Sequence, residues 1–529
     1  MNTTVLTMLV AAGVYFVLLI LIGRMSARGA GTGKEEYFVA GRSLRGLVLF
    51  AAVFGTNMTA FVMLGLAGQS YRGGLGSWAM LLGPVALTLP IHFYFGYRCW
   101  LVARREGITT PSEFYRERYG SEVLGLLAFA FFLLWTLPIV LTGIIGGARV
   151  FSAFTDDVIP YWLGALIITA VVAYYTTVGG MKGTAWTNTL QTALFLGFLL
   201  FSVFYVPTRV GGAGELLSRL MADAPHLPTR TWEGPAGFGP TLSFFLLFSS
   251  ANFATPYIWL RIISARSGRM LRHLAMLYPI ATLVTWGAVV LIGLWGAVIV
   301  PGLEGPEADS VVFAVTGALF PTWLAAFGLL SLFAIVMSSM DAQTLTISNL
   351  FTVDIVQRYT SLTDSESDRG RVVWVGRCFV LALLAILFFV SLLPLPAVFD
   401  LATFAFTGFM AFFPLMVGGV LWRRATASGA VASLVIGQVV AIAGFLQLYP
   451  FPYGLQPPFW VAVTSWTAFV VVSLLTRPPD HDRVARFHGV WDRVWSAHVP
   501  AGRDLVGAPA APAEPATVPT LSTRHEESG

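Results

Sequence analysis

A succession of apolar runs, about thirteen in all and each close to the length that crosses a bilayer, is the strongest constraint on this chain. A spanning helix needs roughly 20 consecutive, mainly apolar residues. Only 11% of the 529 residues are charged, against about 25% in a soluble domain, so the chain is predicted to be an all-α polytopic membrane protein. The predicted spans are 4–25, 46–69, 77–100, 122–152, 160–178, 186–207, 240–263, 273–300, 320–350, 373–394, 397–421, 428–448 and 458–476.

Basic residues gather in every second loop between these runs, and this bias predicts the orientation of the chain. Loops on the cytoplasmic side carry an excess of lysine and arginine. The first loop holds Arg24, Arg28, Lys34, Arg42 and Arg45, and the seventh holds Arg261, Arg266, Arg269 and Arg272. The N-terminus is therefore expected outside the cell membrane and the C-terminus in the cytoplasm. The first run has no basic segment before it, so it is expected to remain a span rather than be cleaved as a signal peptide.

The apolar runs occupy residues 1–476, which are predicted to form one transmembrane domain. Residues 477–529 begin basic and end in APAAPAEPATVPTLSTRHEESG, with few large apolar residues, so a largely disordered cytoplasmic tail is predicted. Cys99 and Cys378 lie in or near apolar runs and indicate neither a disulfide nor a metal site. No nucleophile–base pair or cluster of metal-ligating side chains stands out, so an enzyme is not predicted.

The apolar run from Ser331 to Asn349 carries polar residues where a lipid-facing helix would carry leucine. Ser338, Ser339 and Asp341 fall at mid-depth in it. A charge at that depth costs roughly 2.5–3.5 kcal/mol on insertion scales, so such groups normally face the bundle interior, an ion or a water-filled path. The stretch is therefore predicted to form half of a cation site. The alternative is that the serines bond back to carbonyls of their own helix or pack against another helix.

Two other spans are predicted to be interrupted at mid-depth. The second run contains Gly55, Thr56, Asn57 and Thr59, and the seventh contains Ser249, Ser250, Asn252, Thr255 and Pro256. Breaks five spans apart are typical of transporters built from inverted repeats, whose unwound backbone carbonyls coordinate cations near the bilayer midplane. The two repeats would be residues 46–207 and 240–421. Simple kinks in a channel or another polytopic bundle remain the alternative.

Sodium suits a site of this kind. It is a hard cation, so oxygen ligands hold it better than sulfur ligands do. Backbone carbonyls freed by a broken helix supply some of these oxygens, and hydroxyls from a neighbouring helix, such as those of Ser338 and Ser339, can supply the rest.

Three blocks, in the right order, resemble the sodium:solute symporter family. The run VGGMKGTAWTNTLQTALFLGF resembles the family signature at Gly179, Gly180, Ala185, Trp186, Thr187 and Gln191. EEYFVAGRSLRG resembles the entry to the family's second span, and VMSSMDAQTLTISNLFTVDIV resembles its ninth-span block. The resemblance covers about Glu35 to Leu475. It implies a LeuT-type fold with two inverted five-helix repeats, and solute uptake driven by the sodium gradient through alternating access.

The resemblance also implies the binding residues. The family's sodium ligands fall on the carbonyls of Gly55, Met58 and Ile335 and on the hydroxyls of Ser338 and Ser339. The family's solute site, next to the ion, makes candidates of Thr56, Asn57, Thr59, Asn252, Thr255 and Tyr257.

Asn188, Asn57 and Asp341 depart from the family pattern. Many members have aspartate where this chain has Asn188, so a second sodium ion is not expected and one sodium per solute is predicted. Some amino-acid transporters of the family have aspartate at the position of Asn57, so a proline-type solute is disfavoured. Asp341 adds a charge near the predicted ion site, where it would tune the ion, bind a proton or pair with an arginine.

The predicted function is therefore sodium-coupled import of a small organic solute. An organic acid, such as a monocarboxylate or pantothenate, is the first choice, and an amino acid or a sugar is the alternative. Proton coupling through Asp341 remains open beside sodium. A transporter-like sensor that works with a separate signalling partner is a further alternative. The expected partners are the solute, sodium and the lipid bilayer, with no nucleic acid and no required protein.

Overall fold

Every regular element of the computed structural model is a helix across the described residues, which are 3–27, 34–44, 46–78, 80, 83, 85–87, 91–225, 227, 237–362 and 368–498. Nine helices in this part of the chain are long and apolar enough to cross a membrane, or up to ten when one bent pair counts as a span. The predicted all-α membrane fold is confirmed. The count of thirteen stays a prediction, since part of the run 77–100 lies outside the described residues. Arg28, Arg45, residues 228–236 and the tail from residue 499 also lie outside them.

The first half of the chain contains nine helices in the described residues. A π-helical turn, Phe61–Leu66, connects the third to the fourth. They are α1 (Thr3–Ala27), α2 (Lys34–Val39), α3 (Gly46–Asn57), α4 (Ala67–Gly73), α5 (Gly96–Glu106), α6 (Pro111–Tyr119), α7 (Glu122–Phe154), α8 (Tyr161–Arg209) and α9 (Ala213–Asp223).

The second half contributes eleven more α-helices of at least eight residues to the described part. They are α10 (Phe238–Ala254), α11 (Pro256–Ile263), α12 (Gly268–Ile299), α13 (Val311–Leu319), α14 (Thr322–Leu350), α15 (Arg369–Ser391), α16 (Val398–Met410), α17 (Phe413–Leu421), α18 (Ala427–Phe445), α19 (Pro457–Leu475) and α20 (His481–His498).

Helix α14 lies at the centre of the bundle. Its residues 331–350 are all buried, and it packs against α1, α3, α7, α8 and α15. Glycines of α7 make the closest approach possible, because a Cβ at Gly143 would lie 2.4 Å from Met340 Cγ. Small residues let membrane helices pack closely in this way. The polar stretch predicted to form half of a cation site is therefore enclosed by helices and shielded from lipid.

Both predicted helix breaks are present. The axis turns by 56° between α3 and the segment Phe61–Trp78. The second break separates α10 from α11 at Thr255, whose φ of −74° and ψ of 138° are extended. Pro256 begins α11, where its missing N–H costs nothing because the first amides of a helix have no partner within it.

The predicted runs 160–178 and 186–207 form one helical stretch, α8, bent at a single glycine. Gly180 has φ 54° and ψ −153°, which a residue with a side chain rarely adopts. A Cβ there would also lie 2.8 Å from the carbonyl oxygen of Tyr37. The second glycine of the signature block is thus required by backbone geometry and by the close approach of α2.

The first part of the tail, residues 481–498, is helical, whereas a largely disordered tail was predicted for 477–529. These residues form α20, which docks on α5, α6 and α17. The Phe487 ring packs against Phe114 at 5.7 Å, and Arg486 Nε lies 2.5 Å from Glu106 Oε2. The low apolar content of the tail as a whole masked this amphipathic segment, HDRVARFHGVWDRVWSAH, whose apolar residues share one face.

Docking of α20 is expected to weaken in acid. Burial, with Arg118, Arg423 and Arg98 nearby, lowers the pKa of His488 to about 4. Free histidine has a pKa of about 6.5, so between about pH 6.5 and 4 the undocked helix gains a proton that the docked helix resists. Hydrogen exchange of residues 481–498, corrected for its intrinsic pH dependence, should show less protection at pH 5 than at pH 7. His488→Gln should remove the difference; equal protection of the unaltered protein at both values would contradict this account.

Candidate functional site

The break after α3 leaves a backbone carbonyl without its helical partner. In a continuous helix the Thr59 amide would donate to the Gly55 carbonyl; here it donates to the Asn57 carbonyl at 3.1 Å. The Gly55 carbonyl is reached from another helix, because the Ser338 hydroxyl of α14 lies 3.0 Å from it. Local unwinding of one span has thus opened an oxygen towards the central helix.

Ser338 gathers three oxygen atoms at this point. Its Oγ lies 3.0 Å from the Gly55 carbonyl oxygen and 3.0 Å from the Ile335 carbonyl oxygen. One hydroxyl has one proton and can donate it to only one of the two carbonyls at a time. Three oxygen atoms therefore share a single hydroxyl proton, and such an oxygen-rich environment favours a small hard cation.

The two other predicted sodium ligands are the Met58 carbonyl and the Ser339 hydroxyl. The Ser339 hydroxyl donates to the Val336 carbonyl on its own helix at 2.9 Å. Met58 is buried in the break, and its amide donates to the Phe54 carbonyl at 3.0 Å. The structure therefore brings together Gly55, Ile335 and Ser338. Both serines bond back to a carbonyl of their own helix, and the Ser338 hydroxyl also lies within hydrogen-bond distance of the Gly55 carbonyl.

Glycine at position 55 is needed for this geometry. A Cβ there would lie 2.5 Å from Thr192 Oγ1 on α8. The Thr192 hydroxyl in turn donates to the Ala51 carbonyl of α3 at 3.3 Å. Because Gly55 has no side chain, α3 can pack closely against α8. This close packing also keeps the Gly55 carbonyl within reach of α14.

A small cavity lies between the two broken spans. The side-chain amides of Asn57 and Asn252 both donate to the Tyr278 hydroxyl, the latter at 3.3 Å. The cavity of about 20 Å³ has room for little more than a water molecule, so a solute can enter only after the aromatic side chains move. It is lined by Asn57, Phe61, Phe248, Asn252, Thr282, Trp286 and Phe406.

The lining of this cavity is polar at a few points and carries no charged side chain. Within the described structure, Asn252 Oδ1 and Trp286 Nε1 are buried without a hydrogen-bond partner. Buried polar atoms are nearly always paired, and unpaired ones are a recurring mark of binding sites. The cavity thus offers a free acceptor and a free donor between aromatic faces.

The other predicted solute residues point elsewhere. The Thr56 hydroxyl pairs with the Asn188 amide at 3.1 Å, on the side facing α8. Thr59 Oγ1 accepts from the Phe61 amide at 3.2 Å within the break, and the Thr255 hydroxyl donates to the Asn252 carbonyl at 2.8 Å. Tyr257 is fully buried and does not line the cavity. Of the six candidates, the cavity is lined by Asn57 and Asn252.

Sequence reasoning missed the wall of the cavity contributed by α12. Thr282 and Trp286 line the cavity, and Tyr278, one turn before Thr282 on the same face of the helix, accepts hydrogen bonds from the two asparagines. The same spacing is normal for residues packed in a helical core, so the pattern alone did not distinguish a lining from a core. The signal available in the sequence was a row of side chains with polar ends on α12, the helix that follows a broken span.

Asp341 and Asn188 lie beside the Gly55–Ser338 contact, in a fully buried polar cluster. The Thr187 hydroxyl donates to Asp341 Oδ2 at 3.3 Å. Asp341 follows Ser338 by three residues on α14, and Thr56 follows Gly55 directly, so both flank the candidate ion position.

Known proteins resemble this chain over most of its length. Residues 37–437 match the model of the sodium:solute symporter family. The chain is 27% identical over 492 residues to an osmoregulated proline transporter of Bacillus subtilis, covering 89% of this chain and 95% of that protein. It is also 27% identical over 504 residues to the sodium/proline symporter of Escherichia coli, covering 91% and 95%.

A solved structure shares the fold. A Na+-coupled sialic acid symporter, in a substrate-bound outward-open state, aligns with a TM-score of 0.73 at 18% identity, over 90% of this chain and 99% of that one. The LeuT-type fold predicted from the sequence is thereby confirmed. Its named relatives are transporters, which agrees with the prediction that the chain is not an enzyme.

Proposed function

This chain belongs to the sodium:solute symporter family, and we propose that it imports a small organic solute across the cell membrane by alternating access, driven by sodium. The observation that carries the proposal is the contact between the Gly55 carbonyl, freed by the break, and the Ser338 hydroxyl at 3.0 Å. A sodium ion bound by both oxygens would replace the hydrogen bond between the Ser338 hydroxyl and the Gly55 carbonyl. The Ile335 carbonyl, 3.0 Å from the same hydroxyl, would supply a third oxygen.

Coupling follows from the position of the two sites on one break. Gly55, at the ion position, and Asn57, in the cavity wall, are separated by one residue of α3. An ion that draws the Gly55 carbonyl towards α14 also orders the backbone that aims the Asn57 amide. Each ligand therefore raises the affinity for the other by the same factor, as any binding linkage requires.

We propose an organic acid as the solute. Amide N–H groups of the two asparagines and the Trp286 N–H can bind a carboxylate, and the aromatic rings can enclose a short apolar body. A zwitterionic amino acid is the second candidate, because two of the compared relatives are named as proline transporters. Its ammonium group would need several acceptors; Asn252 Oδ1 offers one, but no lining residue is a carboxylate.

The proposed arrangement in the membrane follows the distribution of basic loops. The N-terminus lies outside and the C-terminus, with α20, lies in the cytoplasm. Residues 1–476 form the transporter domain, with inverted repeats at about 46–207 and 240–421, one broken span belonging to each repeat.

Uptake into proteoliposomes tests the proposal directly. Labelled monocarboxylates, pantothenate, proline and a sugar would each be offered with an inward sodium gradient, and in matched vesicles with potassium in place of sodium. We expect an organic acid to accumulate only with the sodium gradient, because sodium moving down its gradient supplies the free energy for uptake. Uptake that is equal in potassium would refute the coupling, and uptake of proline alone would refute the solute class.

A thermal-shift screen in both salts should identify the same solute, as a ligand that stabilises the protein only in sodium.

A further inference from the structure

Arg261 is a buried charge without a charged neighbour in direct contact. Expected in the seventh loop, it instead lies on α11 just beyond the break and is 1% exposed. Its Nη1 lies 3.0 Å from Met181 Sδ, and its Nη2 donates to Thr184 Oγ1 at 3.1 Å. Both partners are neutral. A guanidinium this deep in a membrane protein requires a negative charge close enough to compensate it.

Asp341 on α14 is a buried negative charge close to Arg261. It is 0% exposed, one carboxylate oxygen accepts from the Thr187 hydroxyl at 3.3 Å, and the other has no hydrogen-bond partner in the described structure. Arg261 and Asp341 both lie in the described part of the chain, and no N–O distance of 4.0 Å or less joins them. The two charges are therefore close in the fold without touching.

Asn188 of α8 fills the space between them. With its amide oriented to satisfy its neighbours, the oxygen lies 3.2 Å from Arg261 Nη2 and the nitrogen 3.2 Å from Asp341 Oδ2. The same oxygen accepts from the Thr56 hydroxyl at 3.1 Å. An amide can accept from a cation and donate to an anion at once, which neither an aspartate nor an aliphatic side chain can do.

We propose that Asp341 is the counter-ion of Arg261, joined to it through Asn188, and that this linkage holds the two broken spans against α14. One end of the linkage is Arg261, beyond the break that precedes α11. The other end is Asp341, three residues from Ser338 on α14. Between them, Asn188 also bonds to Thr56, which lies beside the break after α3. Asp341 thus acts as a positioning residue. Its role for sodium rests on the proposed function, whereas charge compensation does not.

This assignment also accounts for an uncharged residue at position 188. The Asn188 oxygen is occupied by the guanidinium and a hydroxyl, so it is not free to hold a second cation. The linkage contains one positive and one negative group, and an aspartate added at position 188 would leave it with a surplus negative charge. The neutral amide therefore fits a transporter that binds one sodium ion.

Moving the carboxylate tests the proposal. Asp341→Asn leaves Arg261 uncompensated, and the double variant Asn188→Asp/Asp341→Asn returns a carboxylate to a position 3.2 Å from Arg261 Nη2. We expect Asp341→Asn to lower the midpoint of thermal unfolding in sodium-free buffer and to weaken equilibrium binding of radioactive sodium about tenfold. The double variant should recover most of both losses.

Asp354 provides the matched control. It is another buried aspartate further along the same stretch of chain, 3.6 Å from Arg116, so Asp354→Asn should not be rescued by Asn188→Asp. Failure of the double variant to recover stability, or a fully stable Asp341→Asn, would overturn the charge compensation. Recovery of stability without recovery of sodium binding would overturn the link to the ion site. If the unaltered protein binds no sodium at all, the proposed function fails, while the stability measurements still decide the counter-ion claim.

Discussion

Ser338→Ala is expected to raise the sodium concentration for half-maximal uptake by roughly ten- to a hundredfold. The Ser338 hydroxyl contacts both the Gly55 and the Ile335 carbonyls, at 3.0 Å each. Loss of an interaction with a charged partner costs about 1.5–3 kcal/mol, and every 1.4 kcal/mol is about tenfold in affinity. The measurement is the initial rate of uptake in proteoliposomes against sodium concentration, at fixed solute.

Ser339→Ala is the matched control for this result. The family resemblance makes both serines sodium ligands, but the Ser338 hydroxyl reaches the Gly55 carbonyl at 3.0 Å, whereas the Ser339 hydroxyl donates to Val336 on its own helix at 2.9 Å. We therefore expect a shift of less than about threefold, the size of one modest neutral hydrogen bond. A larger effect at Ser339 than at Ser338 would show that the ion lies on the other side of α14. Unchanged sodium dependence in both would remove the two hydroxyls from the ion site.

The fold was predictable because its determinants are local in the chain. Apolar runs of bilayer length identify the spans, and Gly55 and Pro256, beside polar residues, mark the two that break. The break at Gly180 within α8 was harder to interpret, since its reason is the close approach of Tyr37 from a distant helix. The helix α20 was missed because its amphipathic segment was averaged with a polar tail.

The candidate site was predictable only in part, because its contacts join residues far apart in sequence. Resemblance pointed to Gly55 and Ser338, which are 283 residues apart, and the structure brings them within hydrogen-bond distance. It did not reveal that Ser338, rather than Ser339, reaches the Gly55 carbonyl, or that Tyr278 links the two asparagines. Nor did the charge pattern reveal the buried linkage, since Arg261 looks like one more loop arginine until α11 is seen to carry it into the core.

Asn57→Asp is expected to reduce uptake of an organic acid by at least about a hundredfold. Asn57 lines the cavity, and its amide nitrogen donates to the Tyr278 hydroxyl. A carboxylate there loses the donor and adds a negative charge to a lining that contains no positive side chain. A buried charge without a partner costs about 3–5 kcal/mol, and a carboxylate solute would be repelled in addition. Uptake of labelled organic acid and of proline, measured side by side, should show the larger loss for the acid.

Asn57→Ala separates the charge from the lost hydrogen bond. It removes the same donor without adding a charge and should cost only about 1–3 kcal/mol of solute binding. Because Asn57 is two residues from Gly55, the aspartate should also attract the ion, so Asn57→Asp should bind radioactive sodium more tightly while Asn57→Ala should not. Opposite shifts of sodium and solute affinity in one variant cannot come from general misfolding, which weakens both. Equal losses of acid and proline uptake in Asn57→Asp, with sodium binding unchanged, would instead place the solute carboxylate away from this amide.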